Sequence, residues 1–149
     1  MSYVSTLYHI ILRTKYSEPT ITENHETLLY AYMTGLIRHK YCKVYRIGGM
    51  PDHVHLLVSI HQNIALSEFV KVLKSETSKW LKSSEFFPYF KGWGVGYAAF
   101  SYHFKDKDRI YKYICHQKQH HKTHTFQEEY EESILEVGLN PDNSFNEDL

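Results

Sequence analysis

Gly48-Gly49-Met50-Pro51-Asp52-His53-Val54-His55-Leu56-Leu57-Val58-Ser59-Ile60 is the stretch that decides the fold. The aliphatic run after the histidines reads as a β-strand over 53–60, and Gly48 to Asp52 reads as a turn. Residues 42–48, Cys-Lys-Val-Tyr-Arg-Ile-Gly, form the strand before it, so the two pair as a hairpin. Side chains alternate along a strand, so His53 and His55 project from one face while Val54 points to the other. Two adjacent imidazoles suit a core poorly and suit one metal ion well.

Outward from this hairpin, residues 3–14 are β-branched and aromatic and read as a first strand. Leu28, Leu29, Tyr32, Met33, Leu36 and Ile37 recur at helical spacing, from a start near Thr22 to about His39. Leu66, Phe69, Val70, Leu73, Trp80 and Leu81 mark a helix over 66–82, whose other face carries Lys71, Lys74, Lys79 and Lys82. A Gly/aromatic loop over 83–97 follows, and its Phe86–Trp93 aromatics read as packing residues. Residues 98–104 are a fourth strand, 106–121 a helix, and Phe126 to Val137 an acidic helix ended by Gly138 and Pro141. The order β-α-β-β-α-β predicts an α+β, ferredoxin-like (RRM-like) fold: an antiparallel sheet with helices on one face, plus C-terminal helices. A length of 149 residues suits one domain over 1–149, with 126–149 as an acidic helix and tail.

The net charge is zero, but its distribution is uneven. All 17 Lys and Arg lie in residues 1–125 with 9 of the 17 Asp and Glu, so that body carries +8, and the remaining 8 acids lie in 126–149. A basic body fits a polyanion partner. No apolar run approaches the ~20 residues of a membrane span. The N-terminus lacks a basic segment with an apolar signal core, so a cytoplasmic location is expected. Cys42 and Cys115 form no C-x-x-C motif and read as buried thiols.

Two histidines need at least one further ligand, and the 106–121 helix offers polar residues on one face. Tyr113 and Gln117 are four residues apart, and His120 and His124 continue their stripe. Tyr111 lies on another face. Such a stripe is not a core face; Ile110 and Ile114 would pack instead. His120, His121 and His124 read as solvated helix-end histidines, which suit a helix C-terminus, ahead of the alternative that they are extra ligands or DNA contacts.

His-hydrophobic-His on a strand, followed by Tyr113-Ile114…Gln117 on a helix, resembles the HUH single-tyrosine transposases of small bacterial insertion sequences, the IS200-like type. The resemblance spans most of the chain. It includes Arg13-Thr14-Lys15, Gly48 to Leu57, Leu73-Lys74-Ser75 and Gly96-Tyr97-Ala98-Ala99-Phe100-Ser101. It implies that His53, His55 and Gln117 bind a divalent metal, Mg²⁺ or Mn²⁺, and that Tyr113 is the nucleophile. It also implies single-stranded DNA with hairpin ends as substrate, and a homodimer in which the tyrosine of one subunit can serve the His pair of the other, with residues 104–108 as hinge. The family motif reads Tyr-Ile-x-Asn-Gln; here His116 stands at the Asn position.

The implied chemistry is intelligible from the residues. A metal on two imidazoles and one amide oxygen, with no carboxylate, keeps positive charge for a phosphate. A tyrosine attacking phosphorus forms a covalent 5′-phosphotyrosine and releases a 3′-OH. Arg13, Lys15, Lys71, Lys74 and Lys79 are the candidate phosphate contacts. The rival reading is a non-cleaving, domesticated module that only binds single-stranded or hairpin nucleic acid. A histidine-triad hydrolase would need a third His where Leu57 stands.

Overall fold

The computed structural model describes residues 1–122, 125–136 and 138, so His124, Val137 and Pro141 lie outside the described residues. Four strands, β1 (Tyr8–Arg13), β2 (Lys43–Met50), β3 (His53–Ser59) and β4 (Ala98–Ser101), form one antiparallel sheet in the order β2-β3-β1-β4. This is the expected ferredoxin-like arrangement. Helices α1 (Glu26–His39) and α2 (Leu66–Ser83) cover one face. There Ile10 and Leu12 of β1, and Val54, Leu56 and Val58 of β3, bury against Leu29, Met33 and Ile37 of α1 and Phe69, Val70, Leu73 and Leu81 of α2.

A sheet covered on one face would leave every second β3 residue wet. Instead His53 through Val58 are all buried. The second face is roofed by α3 (Lys107–Cys115), α4 (Gln117–His120) and α5 (Phe126–Glu136). Ile110 and Ile114 of α3 pack on Leu7 and Leu57, while Tyr130 and Ile134 of α5 pack on Ile11, Ala98 and Phe100.

Several boundaries differ from the sequence expectation. Strand β1 is shorter, beginning at Tyr8 rather than Tyr3. Strand β4 ends at Ser101, because a 3₁₀ turn at Phe104–Asp106 leads directly into α3. The single helix expected over 106–121 breaks at His116, whose backbone (φ −101°, ψ 20°) is not helical and whose ring Nδ1 lies 2.7 Å from the Lys112 carbonyl oxygen. His116 faces solvent there. Cys42 is buried but Cys115 is exposed, and both are free thiols. Phe87, Phe90 and Trp93 pack in the core, whereas Phe86 and Tyr89 are exposed. No helix among the described residues is long and apolar enough to cross a membrane.

Gly48 and Gly49 belong to β2, not to the turn, which is only Pro51-Asp52. The reason is close approach. A Cβ on Gly48 would stand 2.9 Å from Ile114 Cγ2 and 3.0 Å from the Ile114 carbonyl oxygen, and one on Gly49 would collide with the His53 carbonyl. Gly48 pairs with His55 across the sheet, so the missing side chain lets α3 lie against the His face. Gly48→Val should push α3 outward and lower stability by about 1–3 kcal/mol, read by urea denaturation.

Candidate active site and metal centre

Sheet register assembles the histidines. His53 pairs with Arg13 and Met50, and His55 with Ile11 and Gly48. His9 stands two residues before Ile11 on β1, diagonal to His55 on the same face. His9 Nε2 lies 2.7 Å from His55 Nδ1, and the two rings stack at 4.9 Å. Asp52 Oδ1 lies 2.7 Å from His53 Nδ1. Both strand histidines are therefore held by Nδ1 and turn Nε2 into the space beneath α3–α5, as metal-binding imidazoles are held. Burial dominates the electrostatics. It pushes His55 down to about 4, against the opposing Glu129 contact, and pushes His9 well below its ordinary range. Burial works to raise the Asp52 carboxyl, but the His53 hydrogen bond and charge outweigh it and the net shift is downward.

The α3–α4 segment brings the helix residues in. Lys118 ties α4 down, its Nζ 2.9 Å from both the Gly49 carbonyl oxygen and Glu26 Oε2. Gln117 is buried, with Oε1 3.2 Å from His53 Nε2. The Tyr113 ring lies 5.8 Å from His55, 6.1 Å from His9 and 5.4 Å from His120. Its hydroxyl is pushed far above the usual tyrosine range by burial, then by the charge of Glu129 and hydrogen bonding to it, with Gln117 acting the other way. Tyr111 is exposed on another side, beneath the Arg46 guanidinium.

One group was not expected. Glu129, from the acidic α5, is 1% exposed. Its Oε1 lies 2.7 Å from His55 Nε2 and 3.8 Å from His53 Nε2, and its Oε2 lies 2.5 Å from His121 Nε2 and 3.6 Å from His120 Nε2. The carboxylate-free centre is thus corrected, and so are the solvated histidines: His120 and His121 are drawn inward around this acid. Burial would raise the Glu129 carboxyl, but contact with His55 and the charges of His55, His53 and His121 bring it down to about 2. Nothing in the run Glu128-Glu129-Tyr130-Glu131-Glu132 marks the second acid, since its role depends on how α5 docks.

The donor set fits a cation. His53, His55 and Glu129 offer ligand atoms within 4.8 Å of one another. His55 Nε2 and the Glu129 carboxylate converge at 2.7 Å in the interior. Buried lone pairs converging in this way are costly unless a cation or a proton satisfies them.

Residues 2–117 match the family described as Transposase IS200 like. The chain belongs to the IS200-like transposase family, a family of enzymes. Among solved structures it is similar to a candidate transposase from Deinococcus radiodurans R1, with 24% identity and a TM-score of 0.58 over 78% of this chain and 95% of that one. It is also similar to the REP-associated tyrosine transposase bound to a REP hairpin, with 12% identity and a TM-score of 0.61 over 81% of this chain and 74% of that one. At these identities the likeness is one of fold. No curated protein matches the sequence significantly.

The basic residues of this IS200-like transposase are dispersed. Arg13 is exposed at the end of β1 and lines a hollow of about 180 Å³ with Gly96, Tyr97, Gln127 and Tyr130. Lys15 is exposed beside the Tyr16 ring. Lys71 and Lys79 are exposed on α2, across the sheet from the histidines. Lys74 is half-buried and donates to the carbonyl oxygens of Gly94 (2.8 Å) and Gly96 (3.0 Å), fastening the loop beside Arg13.

His9 was not singled out from sequence, because a lone histidine on a strand carries no signal until register sets it against His55. His9→Phe keeps the ring stacking but leaves His55 Nδ1 without its partner. Mn²⁺ affinity should fall by about 10–100-fold in a metal titration, with partial recovery in His9→Gln.

Proposed function

We propose that this transposase cleaves and rejoins single-stranded DNA through Tyr113, at a divalent-metal centre held by His53, His55 and Gln117. The 3.2 Å approach of His53 Nε2 to Gln117 Oε1, with the His55 ring 5.0 Å from His53 and the Tyr113 ring 5.8 Å from His55, carries this reading. A bound Mg²⁺ or Mn²⁺ would polarise a non-bridging phosphate oxygen and offset its charge. The nitrogen-containing donor set favours Mn²⁺ over Mg²⁺.

Tyr113 supplies the attacking oxygen. Its Oη–P bond forms as the P–O3′ bond breaks, and the proton that Oη gives up to solvent is balanced by the one the 3′ oxygen takes from solvent to leave as a hydroxyl. The resulting 5′-phosphotyrosine retains the phosphodiester's reactivity, so a second 3′-OH can attack it and release Tyr113. His9 and Asp52 hold the imidazoles in orientation throughout.

Tyr113 acts on the His pair of its own chain. The Gly48–Ile114 contact and the Lys118 anchor support this, since both tie the tyrosine segment to the β2 beside that pair. The substrate is DNA with hairpin-marked ends, and the assembly is a homodimer, as the family resemblance implies; the work takes place in the cytoplasm, where the element's DNA lies.

The test is incubation of the full chain with single-stranded DNA spanning the ends of its own element. An SDS-stable protein–DNA adduct should appear with Mn²⁺ and vanish with EDTA. Hairpin binding without any adduct under any metal would favour the non-cleaving module.

A further inference from the structure

We infer that Glu129 is a displaceable carboxylate ligand, carried by α5, which occupies the place of the scissile phosphate until single-stranded DNA removes it. The inference rests on the metal-and-tyrosine reading above. It concerns a part of the chain that the family match does not reach, since that match ends at Gln117.

Burying a carboxylate is costly unless it is paired, so its depth needs a cause. The cause is the cluster of histidine nitrogens: His55 Nε2 at 2.7 Å, His121 Nε2 at 2.5 Å, and His120 and His53 farther off. A carboxylate is a flat anion with two oxygens about as far apart as the non-bridging oxygens of a phosphodiester. Both anions therefore suit the same niche of imidazole nitrogens and any cation it holds, and they compete for it.

The other described side chains of α5 are half-buried or exposed. Tyr130 and Ile134 are half-buried on Ile11, Ala98 and Phe100. Leu135 is exposed, and the Arg109–Glu136 ion pair lies in solvent, where such pairs add little. Glu129 is the helix's deepest anchor among residues whose side chains are described, so whatever displaces it frees α5.

The docked helix also obstructs the nucleophile. Gln127 and Tyr130 cover the hollow beside Arg13, and Glu132 and Glu136 line the about 150 Å³ cavity beside Tyr113 and His9. These two acids set negative charge where a DNA strand would approach Tyr113. Metal, Glu129 and DNA are then linked: removing the internal competitor weakens metal binding without DNA and strengthens DNA binding with metal.

The experiment measures Mn²⁺ binding to the DNA-free full chain by the EPR signal of free Mn²⁺, for the parent, Glu129→Gln, Glu129→Asp and His55→Ala. Folding is checked by thermal melting. A random-sequence single-stranded oligonucleotide is then titrated by fluorescence anisotropy in the Tyr113→Phe background, with Mn²⁺ and with EDTA. Glu129→Gln should weaken Mn²⁺ binding about tenfold or more, with Glu129→Asp intermediate. It should also tighten oligonucleotide binding more in Mn²⁺ than in EDTA. Parental Mn²⁺ affinity in a folded Glu129→Gln, alongside a loss in His55→Ala, overturns the ligand role of Glu129 and leaves the metal reading intact. Parental affinity in His55→Ala overturns the metal reading itself. Equal tightening in Mn²⁺ and EDTA overturns displacement, reducing Glu129 to general charge repulsion.

Discussion

Tyr113→Phe should abolish the covalent protein–DNA adduct and lower strand cleavage by about 1,000-fold or more, because the variant would lack the proposed attacking oxygen. The rest of the site is left in place. The ring keeps its edge contacts with His55, His9 and His120, and Ile114 keeps its seat on Gly48. Melting temperature and hairpin binding should therefore stay near those of the parent, and a gel for SDS-stable adduct beside a binding isotherm reads both. Tyr113 is half-buried and its hydroxyl is held well above the ordinary range, so the variant also removes a polar group from a partly apolar site. A small gain in thermal stability is compatible with that. An adduct that persists in Tyr113→Phe would transfer the role to another residue, with the exposed Tyr111 the first to examine.

His55→Ala is the second large effect. It removes one nitrogen of the centre, the stacking partner of His9 and the imidazole that meets Glu129 Oε1 at 2.7 Å. Divalent-metal affinity should fall by at least about 100-fold, beyond what loss of a supporting contact such as His9 brings. Cleavage should fall with it, and added Mn²⁺ should restore little. Metal removal by EDTA should reproduce the activity loss in the parent chain. The variant also leaves a void beneath α3 and strands the Glu129 charge, so melting should fall as well. His53→Ala provides the companion test, since His53 Nε2 is the atom that meets Gln117 Oε1. Cleavage at the parental rate in EDTA would contradict the metal's role.

The sheet was legible because its signals are local. Val54, Leu56 and Val58 alternate with His53, His55 and Leu57, and the β-α-β-β-α-β order follows from helical spacing on either side of the hairpin. What could not be read was long-range. Gly48 and Gly49 resemble turn residues in sequence, and only the approach of Ile114 explains two glycines inside a strand. The helix break at His116 has no Gly or Pro to announce it. His9 and Glu129 each occupy ordinary-looking positions, one on a strand and one in an acidic run. Their roles come from register in one case and from the docking of α5 in the other. Tyr113 and Gln117 could be grouped because a spacing of four puts them on one helix face, and they stay together although Gln117 begins a new short helix beyond the break.

The most direct test of the account is to map the covalent adduct. The full chain is reacted with Mn²⁺ and single-stranded DNA from its element ends, digested with trypsin and nuclease, and analysed by tandem mass spectrometry. Trypsin cuts after Arg109, Lys112 and Lys118, so Tyr111 and Tyr113 fall in different peptides. The account predicts a nucleotide phosphate on the tyrosine of the peptide spanning residues 113–118, formed with Mn²⁺ and absent with EDTA. A nucleotide on the peptide spanning residues 110–112, or cleavage without any nucleotide-bearing peptide, would contradict it.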